Sequence, residues 1–159
     1  MGQFLAALIF YTSLPIPATG ALDFKGIARW VPVVGLAIGS ILALCDVGLA
    51  WLVPDAVRAV LLVVGWLVLT AGLHVDGAMD AADGLSVASI VPGDRQSLQK
   101  RLDVMADSYT GAFGAIAAIV LILLKGVALI HIAIVPRWLV LLLVPAWGRW
   151  GQLLAIAFY

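Results

Sequence analysis

Residues 57–84 read VRAVLLVVGWLVLTAGLHVDGAMDAADG, and this stretch decides the architecture. Val57 to Val75 is an apolar run about long enough to cross a bilayer, which takes roughly 20 residues. It leads directly into Asp76, Asp80 and Asp83. Continued as a helix, it places these three at i, i+4 and i+7, on one stripe. Like charges at that spacing repel by a few tenths of a kcal/mol per pair, and by more where a membrane margin lowers the dielectric. A divalent cation removes the repulsion, so the stripe is expected to bind metal. The alternative is a helix that simply ends in water, but helix C-termini favour Lys and Arg. Gly77 and Gly84 flank the carboxylates and let the backbone approach a ligand.

The composition of the 159 residues agrees. Hydrophobic residues make up 64 % and charged residues 11 %, against about 25 % charged in a soluble domain. So few charges cannot solvate a globule of this size. A formal net charge of zero offers no basic surface for nucleic acid. One cysteine, Cys45, excludes a disulfide framework and a Cys-cluster zinc site. All nine acidic residues are aspartate, and six of them (Asp76, Asp80, Asp83, Asp94, Asp103, Asp107) lie between positions 76 and 107. Clustered short carboxylates suit a hard cation such as Mg²⁺.

The pattern predicts an all-α, polytopic integral membrane bundle of about four spans. These are Trp30–Val53, Val57–Val75, Gly111–Val135 and Trp138–Phe158, preceded by an apolar N-terminal segment too short to span. Pro15 and Pro17 end that segment, which reads as an interfacial or re-entrant helix. Residues 1–159 form one transmembrane domain, with 74–110 its Asp-rich catalytic segment. Lys25, Arg29, Arg95, Lys100 and Arg101 lie on one side, Arg58 and Arg137 on the other, which puts the Asp-rich loop in the cytoplasm.

A second polar block, Lys100-Arg101-Leu102-Asp103-Val104-Met105-Ala106-Asp107-Ser108-Tyr109-Thr110-Gly111, places Asp103 and Asp107 on one helical face beside two cations. Metal and cation together hold phosphates in this way; the plainer reading is an amphipathic helix with weak ion pairs. His74 reads as a base or phosphate donor, or equally as a capping or core histidine. Arg149 and Lys125 lie within spans, where ionisable groups are functional by default. Arg149 is expected to reach the Asp site or a phosphate, while Lys125 and Asp46 can snorkel or pair. His131 reads as structural.

The stretch Thr70 to Gly84 resembles the signature of the cobalamin synthase family, the adenosylcobinamide-GDP ribazoletransferases: a Gly-rich, His-containing lead followed by Asp-Gly-x-x-Asp-x-x-Asp-Gly. Arg101 to Gly114 resembles the family's second block. Phe4 to Pro17, with its Leu-Pro-Ile-Pro, and Val31-Pro32-Val33-Val34-Gly35 are also similar. Ala106 stands where a Lys or other polar residue is expected, and Asp103 where Glu is common. Family members run on past the position of Tyr159 through further membrane segments, so the resemblance implies a C-terminally shortened chain.

The resemblance implies an inner-membrane transferase that joins adenosylcobinamide-GDP to α-ribazole or its 5′-phosphate and releases GMP. It assigns Mg²⁺ to Asp76, Asp80 and Asp83. Asp107 or His74 is the expected base, and Arg101, Ser108, Arg149, Gly77 and Gly84 are expected to contact substrate. A homo-oligomer is compatible with the sequence. CDP-alcohol phosphotransferases also array aspartates over two turns, but Met79-Asp80 stands where their motif has Ala-Arg. A transport or channel subunit is the reading from another class, with Asp46, Lys125 and Arg149 lining a path.

Overall fold

The computed structural model describes residues 2–17, 21–87, 95–132 and 136–158. Among these are seven α-helices and no strand: α1 Gly2–Tyr11, α2 Val31–Leu49, α3 Asp55–Leu69, α4 Leu73–Ser86, α5 Arg95–Ala106, α6 Ala112–His131 and α7 Arg137–Phe158. Three segments are long and apolar enough to cross a membrane, Ile27–Leu49, Ala112–His131 and Arg137–Phe158. α3 and α4 count as a fourth if taken as one broken span, and α1 is a shorter apolar helix. The all-helical membrane architecture expected from hydropathy is therefore present.

One expectation is corrected. The helix of the second span does not run on into the carboxylates. It stops at Leu69, and Ala71 and Gly72 take positive φ angles of 49° and 72°. Left-handed residues cannot propagate a right-handed helix, and for Ala71 the conformation costs about 1 kcal/mol; Gly72 adopts it freely. A separate helix, α4, then starts at Leu73.

The chain divides into two compact units. The first comprises Met1–Ala71 and Gly126–Tyr159. Its core is the packing of α2 on α7, and glycine makes the close approach: a Cβ on Gly35 would stand 2.6 Å from Ala146 Cα, and one on Gly39 would stand 2.7 Å from the Leu141 carbonyl oxygen. This Gly-x-x-x-Gly pair is how membrane helices come together without a hydrophobic driving force. Ile38, Leu42, Leu62 and Leu141 are fully buried around it. At the far end of α2, Asp46 pairs with Arg58 Nε at 3.3 Å and Arg137 Nη1 at 3.5 Å. Asp55 binds the same two arginines. The short α1 is tied in just past its end by Ser13, whose backbone N–H donates to the Leu69 carbonyl at 2.9 Å.

The second unit, Gly72–Lys125, holds α4, α5 and most of α6. Gly84 lets α5 lie against α4, since a Cβ there would meet Met105 Sδ at 2.8 Å and the Arg101 carbonyl oxygen at 3.3 Å. The outer face of α6 is apolar and exposed, with Phe113, Ile116, Ile119 and Leu123 all more than half accessible. Such a face suits lipid.

Candidate active site

Because α4 begins at Leu73, its aspartates start from an N-terminal turn rather than trailing a C-terminal one. Asp76 lies in the first turn, where the helix dipole favours a negative charge. The i, i+4, i+7 phase survives, yet the three carboxylates differ in surroundings. Asp76 is exposed, Asp80 half-buried and Asp83 buried, at 8 % accessibility.

Asp83 has partners of its own. Its Oδ2 accepts the Gly111 N–H at 2.7 Å and its Oδ1 the Gly114 N–H at 2.8 Å. Gly111 immediately precedes α6 and Gly114 lies in its first turn, so Asp83 caps α6 from a different helix. The first turn of α6 contains no acidic residue, and its free N–H groups take an anion from elsewhere. A Cβ at Gly111 or Gly114 would collide with the Asp83 carboxylate. Glycine is required at both positions because the carboxylate fills the space beside them.

This bears on the expected metal set. Among the described residues, no three His, Cys, Asp or Glu side chains converge as metal ligands, so the three-carboxylate cage is not assembled. Asp94, the sixth member of the acidic cluster, lies outside the described residues. Asp76 and Asp80 remain one helical turn apart and more open to solvent. Two carboxylates fit magnesium, which commonly takes one or two from protein and fills its shell with water and substrate phosphate. Gly77, between them, has open space where a side chain would stand.

The second block is also rearranged. α5 ends at Ala106, so Asp107 lies beyond the helix and the two aspartates do not share a helical face. Asp103 accepts from Gln99 Nε2 at 2.9 Å, and Asp107 accepts the Tyr109 N–H at 3.2 Å in a local turn. Ser108 and Lys100 are exposed. Arg101 is half-buried; it donates to the Val87 carbonyl at 3.4 Å and keeps a buried Nε with no hydrogen-bond partner.

His74 touches Lys125, with Nε2 2.6 Å from Nζ. In the first unit, Arg149 donates to Gln152 at 2.8 Å and stacks on Tyr11, with Cζ 5.2 Å from the ring centroid. Thus Asp46, Lys125 and Arg149, the trio proposed to line a path, each have partners within their own unit. His131 Nδ1 bonds the Val127 carbonyl at 2.9 Å in its own helix, which fits a structural role. The partners that sequence reasoning missed are Gly111 and Gly114. Their one advance signal is two glycines at the start of a span that lacks an acidic first turn.

Residues 3–159 match the family described as Cobalamin-5-phosphate synthase. The chain is 54 % identical over 156 residues to a protein of Trichormus variabilis named adenosylcobinamide-GDP ribazoletransferase, covering 98 % of this chain and 58 % of that protein. A Synechococcus elongatus protein of the same name is 50 % identical over 155 residues, covering 97 % and 58 %. One from Brevibacillus brevis is 37 % identical over 160 residues, covering 98 % and 61 %. The chain therefore spans about 58 % of the length of the first of these curated relatives. No solved structure matches it.

Proposed function

Because the chain belongs to the cobalamin-5-phosphate synthase family, we propose that it carries the phosphate-handling segment of a membrane transferase. That transferase joins adenosylcobinamide-GDP to α-ribazole or its 5′-phosphate and releases GMP. The observation that carries the reading is the unequal use of the aspartates on α4. Asp83 is engaged by the start of α6, while Asp76 and Asp80, in the same helical phase of α4, are the more exposed carboxylates.

In this reading Asp76 and Asp80 hold Mg²⁺ against the substrate diphosphate. The ion, when bound, polarises a phosphoryl oxygen and neutralises charge building toward the GMP leaving group. Asp83 fixes the start of α6 and so the backbone that follows the second block. Asp107, which is exposed and accepts only the Tyr109 N–H among the hydrogen bonds of the described residues, takes the ribazole hydroxyl proton in this reading. Arg101, in the same unit as these aspartates, orients phosphate. Five basic residues against two supports an inner-membrane topology with the Asp-rich segment facing the cytoplasm.

The test is direct. Purified protein in detergent is incubated with adenosylcobinamide-GDP, α-ribazole and Mg²⁺, with and without EDTA, and GMP is measured. Chelator-sensitive GMP formation is the expected result; no GMP in either arm contradicts the transferase reading for this chain.

A further inference from the structure

Helix α5 carries an apolar ridge that is largely uncovered. Leu98, Leu102 and Met105 stand at i, i+4 and i+7, one stripe of a helix, and are 50 %, 58 % and 38 % accessible. Tyr109, just past the end of α5, is exposed as well. A single exposed leucine needs no explanation, but a contiguous ridge does. The opposite face is polar and exposed, with Gln96, Gln99, Lys100 and Asp103, and Arg95 at its edge. Three of the ionisable residues of α5 are basic, Arg95, Lys100 and Arg101, and one is acidic, Asp103.

Two contacts fix where this ridge lies within its unit. Met105 packs on Gly84 of α4, where an added Cβ would stand 2.8 Å from its Sδ. The preceding residue, Asp83, accepts the N–H groups of Gly111 and Gly114 at the start of α6. Consecutive residues of α4 therefore hold the end of α5 and the beginning of α6. Helix α6 is long and apolar enough to cross a membrane, and Phe113 in its first turn is exposed. The end of α5 is thus level with the margin of the bilayer that α6 enters, and its ridge continues the lipid-facing surface of α6.

We infer that α5 is an interfacial anchor, lying in the plane of the membrane surface. Leu98, Leu102, Met105 and Tyr109 enter the boundary between headgroups and acyl chains, and Arg95 and Lys100 meet the lipid phosphates. A helix with one apolar face and a basic polar face settles about 5–10 Å into that boundary, and tyrosine is favoured at the same level. The excess of basic over acidic residues on α5 complements a phospholipid surface. The inference goes beyond the transferase reading and stands without it. It gives the second polar block a role distinct from phosphate chemistry: through Gly84, α5 carries the end of α4 at the depth of the headgroups.

The chain has one cysteine, Cys45, so a Cys45→Ala background accepts single nitroxide labels. Labels are placed at Leu98→Cys and Leu102→Cys on the ridge, and at Gln96→Cys and Asp103→Cys on the opposite face. All four positions are exposed, so labelling disturbs no core packing. The protein is held in nanodiscs of equal parts phosphatidylethanolamine and phosphatidylglycerol. Collision with oxygen, which concentrates in lipid, is compared with collision with a water-soluble nickel chelate. The oxygen-to-nickel ratio is expected to be high at Leu98 and Leu102 and to reverse at Gln96 and Asp103. Strong nickel collision at all four positions puts α5 in water and overturns the inference. Weak collision with both reagents on the ridge shows that protein covers it, another segment or a second copy, and overturns the inference as well. A second readout uses the pair Leu98→Asp and Leu102→Asp, with the label at Tyr109→Cys. Release of α5 is expected to shift that label from oxygen-accessible to nickel-accessible; an unshifted label counts against the anchor.

Discussion

Asp83 accepts the backbone N–H of Gly114 at 2.8 Å across 31 positions of sequence, and its carboxylate occupies the space a side chain at 114 would need. The third aspartate of the α4 stripe is thus a helix cap supplied by another helix. Asp83→Asn keeps one acceptor, whereas Asp83→Ala leaves two N–H groups unanswered, the buried one of Gly114 and the half-buried one of Gly111. Charge-assisted hydrogen bonds of this kind contribute about 1.5–3 kcal/mol. Thermal unfolding in detergent should therefore rank native above Asp83→Asn above Asp83→Ala, with Gly114→Ala as damaging as the last. A Gly114→Ala variant that melts like the native protein contradicts the cap.

The approach of α2 to α7 at Gly39 is tight enough to predict a backbone conflict. A Cβ there meets the carbonyls of Leu141 and Leu142, and carbonyls cannot rotate aside as a side chain tip can. Gly39→Ala is expected to cost about 1–3 kcal/mol, read as a lowered melting temperature. Gly48→Ala, with open space around it, is the control and should be near neutral.

Asp46 and Asp55 share the same arginines but not the same surroundings. The Asp46 and Arg137 side chains are 8 % and 9 % accessible, while Asp55 is 49 % accessible. Removing Asp46 strips a charge partner from a nearly buried guanidinium, and about 3 kcal/mol is expected. Removing Asp55 from its open position should cost under about 1 kcal/mol. Parallel denaturation of Asp46→Ala and Asp55→Ala checks the ratio.

The tie between the N-terminal helix and the segment after it should respond to acid. The Gln3 side chain donates to Asp23 at 2.7 Å and the Lys25 N–H donates at 2.9 Å. These bonds, with a smaller contribution from the charge of Arg29, hold the Asp23 carboxyl below its ordinary value. A depressed carboxylate contributes stability that is complete above the unfolded pKa and is lost as the pH falls through the folded one. Protection of the Lys25 amide from hydrogen exchange, corrected for intrinsic rate, should therefore be constant above about pH 5 and decline below it. In Asp23→Asn the corrected protection should not vary with pH over that range.

How much of this was legible beforehand follows from the range of each interaction. α2, α6 and α7 are long apolar runs whose hydropathy is local, and they stand close to where the pattern put them. The helical phase of Asp76, Asp80 and Asp83 is equally local. The break at Ala71 was not legible, because hydropathy continues unbroken through it and the reversal uses a left-handed alanine. Gly72 was the only visible sign. The caps and pairs were hidden for a different reason. Asp83 finds its partners 28 and 31 residues on, His74 finds Lys125 51 on, and Asp46 finds Arg137 91 on. Spacing along one helix cannot reveal a partner that tertiary packing brings from another.

The division of labour on α4 is the central claim, and cation uptake tests it most directly. Mn²⁺, as a paramagnetic stand-in for Mg²⁺, is titrated into detergent-solubilised protein with GDP present, and bound ion is counted by electron paramagnetic resonance. Asp76→Asn and Asp80→Asn should each lose the GDP-dependent uptake while melting like the native protein. Asp83→Asn should keep it, at a temperature below its own lowered melting point. Uptake that survives in Asp80→Asn, or that vanishes in a folded Asp83→Asn, would contradict the assignment.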